Sequence, residues 1–185
     1  ATSPGPPPLP ARNRMAGIED IHLSGGGLAG TLIKASWADN HVFRNIRMDA
    51  NPDVAVLFNE VWVTRIEYCI VEECGTAAVD KPCWWFRNHP NTPAPDNTNQ
   101  IFVRGCRFEQ FRNGAIHLGQ AGDTQNTNGI FISDCKFETN FFAGPVIRCL
   151  STCNGLFFSN FYFSMNVYNS GFTAGSTTNL VETLY

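Results

Sequence analysis

The chain has 185 residues, 43% of them apolar and 16% charged, and a formal net charge of −3. So low a charge content leaves much of the surface to Ser, Thr, Asn and Gly. The mild acidity argues against a nucleic-acid binder, which carries a basic stripe, and no apolar run approaches the ~18 residues of a membrane span.

Residues 1–16 begin ATSPGPPPLPARNR. This reads as a Pro-rich extended linker to an upstream module, without a charged-then-apolar secretory leader. From residue 17 a phrase recurs: IFVRGCRF at 101–108 returns as IFISDCKF at 130–137 and, more loosely, as LFFSNFYF at 156–163. With Cys106 as anchor, the equivalent positions are Ile21, Ile46, Cys69, Cys135 and Phe161. The intervals along the chain are 25, 23, 37, 29 and 26 residues, and the long one holds the polar stretch NHPNTPAPDNTN at 88–99. Without that insertion every unit has about 25 residues, a solenoid-like repeat.

Inside each unit apolar and polar residues alternate with period two, the mark of a strand with one buried face. The anchor points inward, and so does the residue two later: Leu23, Met48, Val71, Phe108, Phe137 and Phe163. The residue before the anchor is Asp20, Asn45, Tyr68, Gly105, Asp134 or Asn160; mostly small, polar or Gly, this position suits a sharp corner. A second short strand follows a Gly or Pro in most units, as GTLIKA, DVAVLF, PCWWFR, GAIHLG and GPVIRC. No stretch has helical period. The units are too short for propeller blades of about 40 residues, and Asn-Gly falls only at unit corners. The pattern predicts an all-β parallel β-helix of about six coils over 17–165, with equivalent strands stacked ~4.8 Å apart. Residues 166–185 lose the pattern and read as a cap over the open end or an intersubunit segment.

The seven cysteines cannot all pair within one chain. There is no CxxC, and Cys149 with Cys153 lacks a second pair at zinc spacing. With no N-x-S/T sequon, this usage fits maturation in a reducing cytosol. Cys69, Cys106 and Cys135 share the anchor column and read as inert buried thiols.

Stacked segments such as WADNHVFRNIRM, VTRIEYCIVEECG, QIFVRGCRFEQFRNGAIHLG and GIFISDCKFETNFFAGPVIR resemble the right-handed, pectate-lyase-like parallel β-helices. Among these they look like the β-helix domains of bacteriophage tailspikes, tail fibres and minor tail proteins, over about residues 17–165. The resemblance implies a homotrimer in the virion tail, joined to other tail proteins and attached to host cell-surface polysaccharide. Some such modules cleave the polysaccharide by hydrolysis or elimination, others only bind it, and one β-helix hosts both. A fibre spacer without ligand is a further alternative.

Candidate chemistry lies on the outward faces. Asp49, Glu72, Glu109 and Glu138 occupy one outward position in four consecutive coils, and stacked rungs bring carboxylates to glycosidase spacing automatically. Asp49, Glu72 and Glu109 are therefore the catalytic candidates if the chain is an enzyme. Against this, Arg47, Arg107 and Lys136 stand two residues earlier on the same face, which reads as a surface charge lattice. Only Glu72 lacks its own cation, because Ile70 takes that place. On the second strand, Trp85, His117 and Arg148 share an outward column, with Lys34 and Leu57 aligned less firmly. Exposed there, they suit sugar stacking and hydrogen bonding, or a subunit interface. His89, in the insertion, is a further ligand-binding candidate. No cofactor is expected, and no metal site either, since the acidic residues are spread one per coil rather than clustered as calcium requires.

Overall fold

A computed structural model describes residues 13–76, 81–88, 97–123, 125–140, 145–164 and 181–183. Within them the chain is a parallel β-solenoid: every strand pairing is parallel. One face is built from Trp62–Glu67, Asn99–Arg104, Thr127–Ser133 and Cys153–Ser159. A second is built from Ile70–Glu72, Arg107–Phe111, Lys136–Asn140 and Tyr162–Ser164. The longer strands Gly17–Ser24 and Val42–Asp49 run through both faces and join them, with the short pieces Asn13–Arg14 and Ala38–Asp39, into one 12-stranded sheet. The third face has six rungs: Ile33–Ser36, Val56–Asn59, Trp84–Arg87, Ile116–Leu118, Ile147–Cys149 and Val181–Thr183.

The register is the one the repeat implies. Ile21 pairs with Ile46 and Leu23 with Met48, then Met48 with Val71, Val71 with Phe108, Phe108 with Phe137 and Phe137 with Phe163. The corner between the first two faces is made by one residue per rung in the left-handed region. These are Asp20, Asn45, Tyr68, Gly105, Asp134 and Asn160, with φ between 50° and 63°. Asn and Asp reach this conformation by bonding locally. Here they also bond to each other between rungs: Asn45 Nδ2 donates to Asp20 Oδ1 at 2.7 Å, and Asn160 Nδ2 to Asp134 Oδ1 at 2.8 Å. Tyr68 breaks the small-residue rule because its ring lies across Gly105, where a Cβ would sit 2.7 Å from it. A second left-handed column enters the first face: Met15, Asn40, Val63, Gln100, Gly129 and Gly155. Single left-handed residues at fixed places in the rung bend a twisted strand into a coil without a hairpin.

Inward columns from all three faces fill the interior. Ile46, Cys69, Cys106 and Cys135 are buried in one, and Met48, Val71, Phe108 and Phe137 in the next. The third face contributes Val56, Trp84, Ile116 and Ile147, and beside them Phe58, Phe86, Leu118 and Cys149. Across the interior the Trp84 and Phe108 rings meet edge-on with centroids 4.7 Å apart. Ile21 belongs to the same ladder, yet it is 42% exposed, since among the described residues its strand is paired on one side only.

Candidate functional site

The outward carboxylates fall into strict register: Asp49 beside Glu72, Glu72 beside Glu109, Glu109 beside Glu138. Cations bridge them across rungs. Arg47 Nη2 donates to Glu72 Oε2 at 2.6 Å, and its Nε lies 3.4 Å from Asp49 Oδ2. Glu72 is thus not the uncompensated carboxylate its own rung suggests. Ile70 supplies no charge, and the guanidinium of the preceding rung is long enough to reach it. Arg107 pairs with Glu109 and stands 3.7 Å from Glu138, which also holds Lys136 Nζ at 2.6 Å. His22 Nε2 lies 2.6 Å from Asp49 Oδ2. A hydrogen bond from the Ser24 hydroxyl, then His22 and Arg47, hold the Asp49 pKa below the usual carboxylate range against the effect of burial.

Glu109 and Glu138, side by side on adjacent rungs, are shifted in opposite directions. Burial and the Glu138 carboxylate push the Glu109 pKa up, while the bond from Glu109, with Lys136 and Arg107, holds Glu138 down. A split pair of this kind has the form of an acid and a base. Neither cavity described below includes these residues. The geometry is that of a solvated charge lattice whose pairs contribute about 0.2–1 kcal/mol each.

The third face places Lys34, Leu57, Trp85, His117 and Arg148 in one outward column, the two less firm alignments included. His117 is not exposed there: it is 1% accessible. Trp85 folds over it, the two rings near-perpendicular with centroids 6.4 Å apart. The imidazole settles into room left by Gly114, where a Cβ would lie 2.8 Å from His117 Nε2. Burial, with the Arg148 charge beside it, depresses the His117 pKa to about 3, so the ring is neutral near pH 7. Arg148 is half-buried two rungs from Trp85. His89 lies outside the described residues.

What the column builds is centred one step along the strand. The Trp85 indole donates from Nε1 to the Gly119 carbonyl at 2.7 Å, which fixes the ring. The Arg87 guanidinium lies 4.6 Å from the ring centroid. It is pinned by Nε to Asn59 Oδ1 and by Nη1 to Gln120 Oε1, both at 2.8 Å. Asn59 is tied in turn to Ser36 Oγ at 3.1 Å. Together Trp85, Arg87, Gln120, Ala121 and Leu150 line an open groove of about 270 Å³. The turn beneath it is closed by Asp123, whose Oδ2 accepts from the Gln120 N–H at 2.8 Å. Asn88 anchors both sides: its Nδ2 donates to the Gln125 carbonyl at 2.6 Å, and its Oδ1 accepts from the Thr98 N–H at 2.9 Å. The insertion is therefore rooted beside this groove at its two described ends.

A second cavity, of about 280 Å³, is lined by Ile18, Ile33, Ala38, His41 and Phe43 among others, at the first rung, where the inward columns have no covering neighbour among the described residues. Among the described residues no group of three or more His, Cys, Asp or Glu side chains is arranged to hold a metal ion. Cys69, Cys106 and Cys135 are buried in one inward column and offer no exposed nucleophile.

Sequence reasoning found Trp85 but missed Arg87, Gln120 and Asn59. The signal was there in part: Ser36, Asn59 and Arg87 end successive third-face strands as a polar column. Comparison with protein-family models, with curated proteins and with solved structures finds no match to this chain.

Proposed function

We propose that this solenoid is the attachment module of a bacteriophage tailspike or tail-fibre protein, binding host cell-surface polysaccharide as a homotrimer in the virion tail. One observation carries the binding reading: the groove formed by Trp85, Arg87 and Gln120, in which an anchored aromatic and fixed hydrogen-bonding groups meet on an open surface. An apolar floor with a few placed polar groups is how saccharide sites are built. The trimer reading is supported by Phe102, Phe131 and Phe157, an outward stripe on the first face with ring centroids 4.9 and 4.6 Å apart. The rings stack face to face, so they turn edges outward. A stripe parallel to the solenoid axis can meet its own copies around an axis of the same direction.

The test is binding of the chain to a panel of bacterial surface glycans. A bound glycan whose affinity falls at least tenfold in both Trp85→Ala and Gln120→Ala is the expected result. No binding at millimolar sugar would favour the spacer reading. Cleavage is the second reading, favoured by the register that sets Glu109 beside Glu138 and by the opposite directions of their pKa shifts. It requires release of reducing or unsaturated ends that Glu109→Gln abolishes.

A further inference from the structure

We propose that the groove selects sugars bearing a carboxylate, with Arg87 as the residue that reads the charge; this rests on the saccharide-binding reading above. Among the described residues, exposed Arg65 has only Asn40 Oδ1 and the Phe102 ring, while other outward arginines are each matched to an acid: Arg44 to Glu67, Arg47 to Glu72, Arg104 to Asp134 and Arg107 to Glu109. Arg87 is not. Half-buried, it is held by two neutral oxygens, Asn59 Oδ1 and Gln120 Oε1, and by the face of Trp85. No carboxylate among the described residues stands within ion-pair distance of it.

A pinned, partly desolvated guanidinium without a contacting ion pair is costly unless something anionic completes it. The Asp123 charge acts on Arg87 without an ion pair between them; its Oδ2 is occupied by the Gln120 N–H and by Asn88 Nδ2 at 3.4 Å, and it does not line the groove. The Nη2 donors of Arg87 have no acceptor among the described residues. A guanidinium presents its donors as a planar fork that fits a carboxylate with two parallel bonds. Nε and one Nη1 N–H already fix its plane, so the fork left to the second Nη1 N–H and Nη2 costs little to order when the ligand arrives.

The remaining walls suit the rest of such a ligand. Trp85, Ala121 and Leu150 are apolar and fit the C–H face of a pyranose. The Gln120 amide has its oxygen on Arg87, and its Nε2 donors, which meet no acceptor among the described residues, can serve hydroxyls. The volume, about 270 Å³, falls just below the ~300 Å³ at which drug-sized sites begin. It fits one acidic sugar unit of a polymer rather than an extended run of them.

The experiment is calorimetric titration of the whole chain with methyl glycosides of glucuronate, galacturonate and sialate, with their carboxyl methyl esters, and with the neutral glucoside and galactoside. The expected result is at least tenfold tighter binding of one or more acids than of its own methyl ester. That preference shrinks with added salt and is erased in Arg87→Gln, which then binds the acid and its ester alike. Equal binding of acid and ester by the unaltered protein overturns the charge selection while leaving the groove a saccharide site. A preference that survives in Arg87→Gln overturns Arg87 as the residue that reads the charge. Binding of neither class overturns the saccharide reading and this inference together. The ester comparison uses the unaltered chain, so it stands even if Arg87→Gln fails to fold.

Discussion

The rings of Phe108 and Phe137 lie one rung apart, 12° from parallel, with centroids 5.2 Å apart. Phe163 continues the column at 5.4 Å and 18° from Phe137. Phe137 is fully buried, whereas Phe131 on the outward side of the preceding strand is half-exposed. Phe137→Ala is expected to cost about 3–5 kcal/mol, the cost of an unfilled core cavity. Phe131→Ala should cost less than about 1.5 kcal/mol in the isolated subunit. Urea unfolding of both variants decides it, and similar losses would place the two rings wrongly.

Val63 holds φ at 46°, in the column otherwise filled by Met15, Asn40, Gln100, Gly129 and Gly155. A β-branched residue is the least suited of these to that conformation, which costs roughly 1–2 kcal/mol. Val63→Asn copies the residue one rung earlier and is expected to raise Tm by ~2–4 °C. Thermal unfolding measures this, and an unchanged or lower Tm would show that the Val63 contacts outweigh the strain.

The coil architecture was legible because a solenoid writes its structure once per rung. Cys106, Cys135 and their equivalents could be aligned by eye, and stacking did the rest. The corner was legible too, since Asp20, Asn45, Asp134 and Asn160 are residue types that accept a left-handed turn. The groove was not. Period two gives the side of the strand a residue faces, not what folds over it, so His117 read as exposed while Trp85 covers it. Nor does a repeat report reach: Arg47 serving Glu72 is a contact between rungs, set by the length of a side chain. Gln120 belongs to a turn, which carries no period at all.

His117 gives the protein a dependence on pH. Its folded pKa, about 3, lies below the about 6.5 of an unfolded histidine. Between the two values the unfolded chain binds the extra proton. The stability from this residue is therefore complete above about pH 6.5 and is lost as pH falls toward 3. The unfolding free energy should drop by up to ~1.4 kcal/mol per pH unit from this residue between about pH 6 and 4. His117→Phe should flatten that slope. Identical slopes in the two proteins would mean that the ring is charged, or wet, in the folded state.

The outward charge lattice should be nearly silent in stability. Arg47 is half-exposed, and its two carboxylate partners are solvated. Arg47→Met is expected to change the unfolding free energy by less than about 1 kcal/mol. That difference should vanish near ~1 M salt, where screening is strongest. A larger, salt-independent loss would point to a buried network on this face.

The most direct test of the account is a crystal structure of the chain with the glycan that binds it most tightly. The sugar should lie against Trp85 and Leu150, with an oxygen in hydrogen-bond reach of Arg87 and a hydroxyl on Gln120. A sugar seated instead over Asp49, Glu72, Glu109 and Glu138, with the Trp85 groove empty, would contradict it.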